Sequence, residues 1–125
     1  MIDFANGTII KLKQINPNVI VKDISPLLIY DEQIIGAYKG VRDYVVFTDK
    51  RVISVNVQGI TGKKKDFTFM PYSKISVFSI ETAGVLDLDS ELEMYFSGVG
   101  KVRFEFSGSC NIVQIGQMIS MYALR

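Results

Sequence analysis

The sequence predicts a mainly β domain in which seven antiparallel strands form two packed sheets or a partly open barrel, covered at an end or seam by a C-terminal helix. Three observations lead there. From residue 31 to 108, polar and apolar residues alternate with period two in short runs divided by turn residues. From 109 to 125 the period switches to that of one amphipathic helix. The chain as a whole has 125 residues, 48% of them hydrophobic, which is enough for one core and too short for two.

Residues 1–30 read as an N-terminal extension with a short helix. Ile15, Val19, Ile20, Ile24, Leu27 and Leu28 fall mostly at helical spacings, while Pro17 and Pro26 limit the run. A helix is expected from about Pro17 to Ile24, with Asn16 or Asn18 near its cap, although the β-branched Val19-Ile20-Val21 fits a strand equally well. Gln33 to Lys39 then forms a first strand and Asp43 to Thr48 a second; the tight turn Thr48-Asp49-Lys50-Arg51 leads into a third, Val52 to Gln58. In that third strand Ile53, Val55 and Val57 share one face and Ser54, Asn56 and Gln58 the other, the pattern of a half-buried strand. Gly59-Ile60-Thr61-Gly62 turns into a fourth, Lys65 to Met70, and Pro71-Tyr72-Ser73-Lys74 breaks the ladder because proline has no N–H to donate. Ile75 to Thr82, Leu92 to Ser97 and Lys101 to Ser107 complete the seven, with Val102, Phe104 and Phe106 facing inward in the last. Ile112, Ile115, Gly116, Ile119, Tyr122 and Ala123 line one face of the closing helix, which Ser109 or Asn111 can cap.

Composition removes several kinds of chemistry. With no histidine and one cysteine, Cys110, the chain has no Ser-His-Asp or Cys-His site, no histidine or multi-cysteine metal centre and no internal disulfide. Fourteen Lys plus Arg against thirteen Asp plus Glu leave a net charge of +1, so no overall field draws the chain to nucleic acid. No signal-peptide pattern opens the sequence, and its longest early apolar run, Pro26 to Tyr30, is far short of the roughly 20 residues that cross a bilayer. These features predict a soluble, cytoplasmic, non-enzymatic binding or scaffold domain that needs neither cofactor nor metal.

Four stretches, taken in order and spacing, resemble the bacterial pleckstrin-homology-like (PH-like) domain family. They are Arg42 to Ile53, Gln58 to Lys64, Pro71 to Ile75, and Glu81 to Gly84 with Asp87 to Leu92 close behind. The resemblance covers roughly residues 17–125. It implies a seven-stranded barrel of two near-orthogonal sheets with a C-terminal helix, preceded by a short helical segment. It also implies a ring-forming homo-oligomer without a defined ligand.

The candidate sites follow from charge and exposure. In PH domains that bind phosphoinositides, three loops surround the head group; the corresponding residues here are Lys39 and Arg42, then Lys63, Lys64 and Lys65, then Lys101. The commoner role for such lysines is a solvated hairpin tip that blunts edge pairing. The second strand, Asp43-Tyr44-Val45-Val46-Phe47, also lacks the alternating Arg-x-Arg pattern of phosphoinositide binders, so phospholipid is the secondary expectation and a second copy of the chain the primary one. Ile20, Ile24, Leu27, Leu28 and Ile29 exceed what an exposed extension needs and are expected either to cover the chain's own sheet or to meet another copy. Asp87, Asp89, Glu91 and Glu93 lack the glycine and distal glutamate of a calcium loop and read as a solvated acidic edge. In a homo-oligomer Asp87 and Asp89 can pair across a subunit boundary with Lys63 to Lys65. Thr48 to Arg51 reads as a register-fixing turn, and Cys110 as a packed bystander.

Overall fold

A computed structural model describes residues 1–125. Eight strands rather than seven form one continuous sheet, in the order β5-β4-β3-β2-β1-β8-β7-β6. The strands are β1 (Gly7–Ile15), β2 (Ile34–Lys39), β3 (Tyr44–Thr48), β4 (Arg51–Gln58), β5 (Lys64–Pro71), β6 (Ile75–Glu81), β7 (Ser90–Phe96) and β8 (Gly100–Phe106). Between β1 and β2 lie a 3-10 turn (Pro17–Val19), the single helical turn α1 (Val21–Ile24) and a second 3-10 turn (Ser25–Leu27). The chain ends in α2 (Ile112–Ala123), capped by Asn111, whose side chain accepts the Gln114 N–H at 3.1 Å.

The additional strand, β1, joins the two halves of the sheet. Its first part runs parallel to β8, with Gly7 opposite Val102 and Ile9 opposite Phe104; its last part runs antiparallel to β2, with Ile15 opposite Ala37. The register shifts between Ile9 and Leu12, where Lys11 takes a left-handed conformation with φ +57°. That bulge explains why the strand does not read as one. It spaces the inward residues Ile9 and Leu12 by three instead of two, which imitates a helical period.

Two apolar layers result. The inner one fills the concave side of the sheet with Leu12, Phe47, Val52, Met70, Leu92, Met94, Phe96, Val102, Phe104 and Phe106, and α2 closes it with Ile112, Ile115 and Ile119. Gly116 allows the helix to approach β6 closely: a Cβ there would lie 3.1 Å from Ile80 Cδ1. The outer layer, on the convex side of β2 to β5, consists of Ala37, Tyr44, Val46, Ile53 and Val55 under Ile20 and Ile24. This half-sheet is therefore covered on both faces, and all five residues of β3 are buried.

The cover is fastened by one buried carboxylate. Glu32 accepts hydrogen bonds from Arg51 Nε at 3.0 Å, Arg51 Nη2 at 2.9 Å, Thr48 Oγ1 at 2.6 Å and the Ile29 N–H at 3.1 Å, while Arg51 Nη2 also donates to the Leu27 carbonyl at 2.9 Å. Thr48 Oγ1 accepts the N–H groups of Lys50 and Arg51, as a register-fixing turn requires. Asp49 instead accepts the Gln33 N–H at 2.9 Å, outside the turn.

Candidate functional site

The β2–β3 and β4–β5 turns project side by side from one end of the sheet, as up-and-down parity demands. Arg42 ties them together by donating to the Gly59 carbonyl. Asp43 adds a second tie: its carboxylate accepts the Val57 N–H at 2.9 Å and the Asn56 side-chain amide at 3.2 Å. Gly59 and Gly62 hold φ of +75° and +69°, the left-handed values that favour glycine in a tight tip. Between the turns and α1 lies an open cavity of about 380 Å³ bordered by Lys39, Arg42 and Lys65.

Of the six basic residues expected at a ligand site, the structure brings these three together. Lys63 on the adjoining turn and Lys64 at the start of β5 stand exposed and do not line the cavity. Lys101 lies on the other half-sheet, where it pairs with Glu93 at 3.3 Å. The cavity is less basic than its lysines suggest. Asp23 of α1 faces it, accepting a hydrogen bond from Tyr44 Oη at 3.1 Å and lying 3.9 Å from Lys65, whose ammonium also donates to the Gly62 carbonyl at 3.1 Å. Burial, the charge of Asp23 and the hydrogen bond to it push the Tyr44 phenol well above the ordinary tyrosine range, so it remains a neutral donor. Two aliphatic residues that no sequence pattern singles out crown these turns: Val41 is 85% exposed and Ile60 fully exposed.

A second cavity of about 310 Å³ opens at the mouth of the sheet between the N-terminal segment and β4–β5, lined by Asp43, Ser54, Asn56, Gln58, Asp66 and Thr68. These are the polar faces that alternation assigns to solvent. They turn instead toward the concave side, because the apolar face of β4 is taken by the outer layer.

The residues expected at a subunit boundary divide into three groups. Ile20 and Ile24 are buried in the chain's own outer layer, with Leu27 and Leu28 half-buried beside them, while Ile29 is exposed. Asp87 is exposed and Asp89 half-buried, and the Asp89 N–H donates to Asp87 at 3.1 Å. The acidic residues beyond them are held within the chain: Arg103 binds Glu91 and lies 3.9 Å from Glu105, and Lys101 takes Glu93. Burial together with a hydrogen bond to Asp89 raises the Glu105 carboxyl. This is a cross-strand ion-pair ladder on β7–β8, not a free acidic edge. Cys110 is half-buried, 3.6 Å from the Leu12 carbonyl, and burial raises its thiol, so it has no nucleophilic activation.

The β6–β7 loop, Thr82 to Asp89, carries the feature that alternation could not reveal. Val85, Leu86 and Leu88 are 94%, 98% and 62% exposed, an apolar tip in which only Leu88 lies against the chain, beside Gly108.

Comparison with known proteins fits this architecture. The family model described as bacterial PH domain matches residues 3–123. The uncharacterized protein YjqA of Bacillus subtilis (strain 168) is 45% identical over 95 residues, 76% of each chain. Among solved structures, a DUF1696 family protein with a pleckstrin-homology domain from Shewanella loihica PV-4 superposes with a TM-score of 0.79 at 33% identity, covering 91% of this chain and 98% of its own. A pleckstrin homology domain from Shewanella amazonensis SB2B gives a TM-score of 0.68 at 38% identity, covering 89% and 90%.

Proposed function

Because the chain belongs to the bacterial PH-domain family, we propose that it works without catalysis, as a scaffold domain whose copies assemble head to tail into a homo-oligomeric ring. The observation that carries this reading is the run of exposed apolar residues Val85, Leu86 and Leu88 within one short loop. A cluster of that kind is costly to leave in water and marks a contact surface. Charge supports a heterologous contact: Lys63 and Lys64 stand exposed where the β4–β5 turn enters β5 and Asp87 stands exposed on the β6–β7 loop, so two different surfaces of the protomer complement each other. Light scattering over a concentration series tests the reading. A multimer of defined mass is expected, and a monomer at every accessible concentration overturns it.

A second reading, an anionic lipid surface, is favoured by Val41 and Ile60. These aliphatic tips stand among Lys39, Arg42, Lys63 and Lys64, an arrangement suited to shallow insertion between anionic head groups. Co-sedimentation with phosphatidylserine vesicles, compared with phosphatidylcholine vesicles, is expected to be lost in a Lys63→Glu, Lys64→Glu variant. Absence of binding in the unaltered chain, or binding indifferent to these changes, rejects it.

A further inference from the structure

The cavity of about 310 Å³ at the mouth of the sheet has the reverse chemistry of a phosphate site. Asp3 of the N-terminal segment, Asp43 at the entry to β3 and Asp66 of β5 border it, and no lysine or arginine does. The α-ammonium of Met1 lies 2.7 Å from Asp66, whereas Asp3 and Asp43 enter no ion pair within the chain. The neutral donors are turned on the cluster itself: the Asn56 amide donates to Asp43, the Gln58 amide to Asn56 Oδ1 and Thr68 Oγ1 to Asp66. What remains to meet a ligand is mainly acceptor oxygen. Ser54 extends that surface inward. It stands opposite Thr68 in the β4–β5 ladder, one same-face step deeper than Asn56 and Asp66. The residue is 4% exposed, and the chain supplies its hydroxyl with no hydrogen bond. Unlike the sealed hydroxyl of Ser90, it opens on the cavity. A buried hydroxyl in that position is destabilising until a group in the cavity bonds to it.

We propose that this cavity binds a small organic polycation, a polyamine whose ammonium groups are separated by short methylene chains. An ammonium brings three N–H donors and no acceptor, the complement of a wall of carboxylate and hydroxyl oxygens. The carboxylates stand on three separate segments, and no three acidic side chains gather closely enough to hold a metal ion, so charge spread along a flexible chain fits them better than a bare cation. Ile2 and Ile9 offer apolar contact to the methylenes between the charges. The cavity volume falls at the lower end of the roughly 300–1,000 Å³ of small-molecule sites. An anionic head group is repelled here, which separates this cavity from the basic one between the turns and α1. The inference is independent of self-assembly, since it uses the concave mouth of the sheet and no part of the β6–β7 loop.

Isothermal titration calorimetry of the full chain with spermidine, at constant ionic strength, tests the proposal, with n-butylamine as the single-ammonium comparison. Saturable binding of spermidine at one site per chain is expected, and butylamine should bind at least tenfold more weakly. Asp43→Asn removes the carboxylate charge while keeping an acceptor for the Val57 N–H, and Ser54→Ala removes a hydroxyl that bonds to nothing in the chain. Each is expected to weaken spermidine binding about tenfold, with circular dichroism and the melting temperature confirming the fold. Should Asp43→Asn fail to fold, Ser54→Ala decides, because it takes no hydrogen bond from the folded chain. An unaltered chain that does not bind spermidine overturns the inference. So does an affinity unmoved in Ser54→Ala. Butylamine binding as tightly as spermidine overturns it as well, since the site would then serve a single ammonium such as a lysine side chain.

Discussion

Glu32 has a side chain fully removed from solvent and is the residue on which the fastening of the N-terminal segment converges. Burial alone would raise its carboxyl, but hydrogen bonds from Arg51, Thr48 and the Ile29 N–H, with the charge of Arg51, outweigh burial and hold it below the ordinary carboxylate value. Replacing Glu32 by Gln keeps the shape and leaves the Arg51 guanidinium without its counter-charge, so urea unfolding is expected to register a loss of about 3 kcal/mol. The pH dependence has a definite sign. A carboxyl that ionises more readily in the folded chain contributes its full stability above the unfolded pKa, near 4.5, and loses it as pH falls through the lower folded value. The melting temperature should therefore fall on acidification below that point, and Glu32→Gln should flatten that part of the profile. Glu105, whose carboxyl is raised, acts in the opposite sense, so the difference between the two proteins isolates Glu32. A variant whose melting profile parallels that of the unaltered chain would contradict this account.

Among the elements, β1 has the most to teach about the relation of pattern to structure. Its bulge at Lys11 requires a left-handed backbone in a residue with a Cβ. Lys11→Val places a β-branched side chain there and is expected to cost about 1–2 kcal/mol, while Lys11→Gly relieves the conformation but loosens the unfolded chain, for a net change near zero. Chemical denaturation of the two variants checks the contrast; equal losses would mean that the lysine side chain, not the backbone, matters at this position. The seven remaining strands and α2 were legible because most of each run keeps its period: Val102, Phe104 and Phe106 alternate inward, Ile112, Ile115 and Ile119 recur along one helical face, and the register shifts at Ile34–Gly36 and Ile75–Val77 fall at the starts of their strands. What stayed hidden was which side of β4 faced where. Alternation gives two faces and no sign, so Ser54, Asn56 and Gln58 read as solvent-facing although they line the mouth of the sheet. The charged residues misled for a related reason. Glu91 opposes Glu105 directly in the ladder, and only the neighbouring Arg103 makes that pairing tolerable, a fact of register that spacing cannot show. The paired loops of the basic end were predictable from strand parity, whereas Asp23, which offsets their charge, comes from a segment whose position in space no local pattern specifies.

For the molecule as a whole, the N-terminal 30 residues are not an extension added to a finished barrel. They supply the strand that joins β2 to β8 and the apolar cover of the convex layer. Without them the two half-sheets lose their common neighbour, and Tyr44, Val46, Ile53 and Val55 face water. Each large aliphatic side chain so exposed forfeits about 1.5–3 kcal/mol. A few such losses, with that of the β1 ladder, match the roughly 5–15 kcal/mol that stabilises an ordinary domain. A chain beginning at Asp31 is therefore expected to lose its cooperative melting transition and the ordered aromatic signal in near-ultraviolet circular dichroism. Its mass in solution would then report exposed core, not the assembly contact, which is why single exposed positions such as Leu86 make the sounder probe. Retention of a sharp transition by the shortened chain would mean that the two half-sheets cohere through α2 and the inner layer alone, and that β1 is an accessory to the fold rather than its joint.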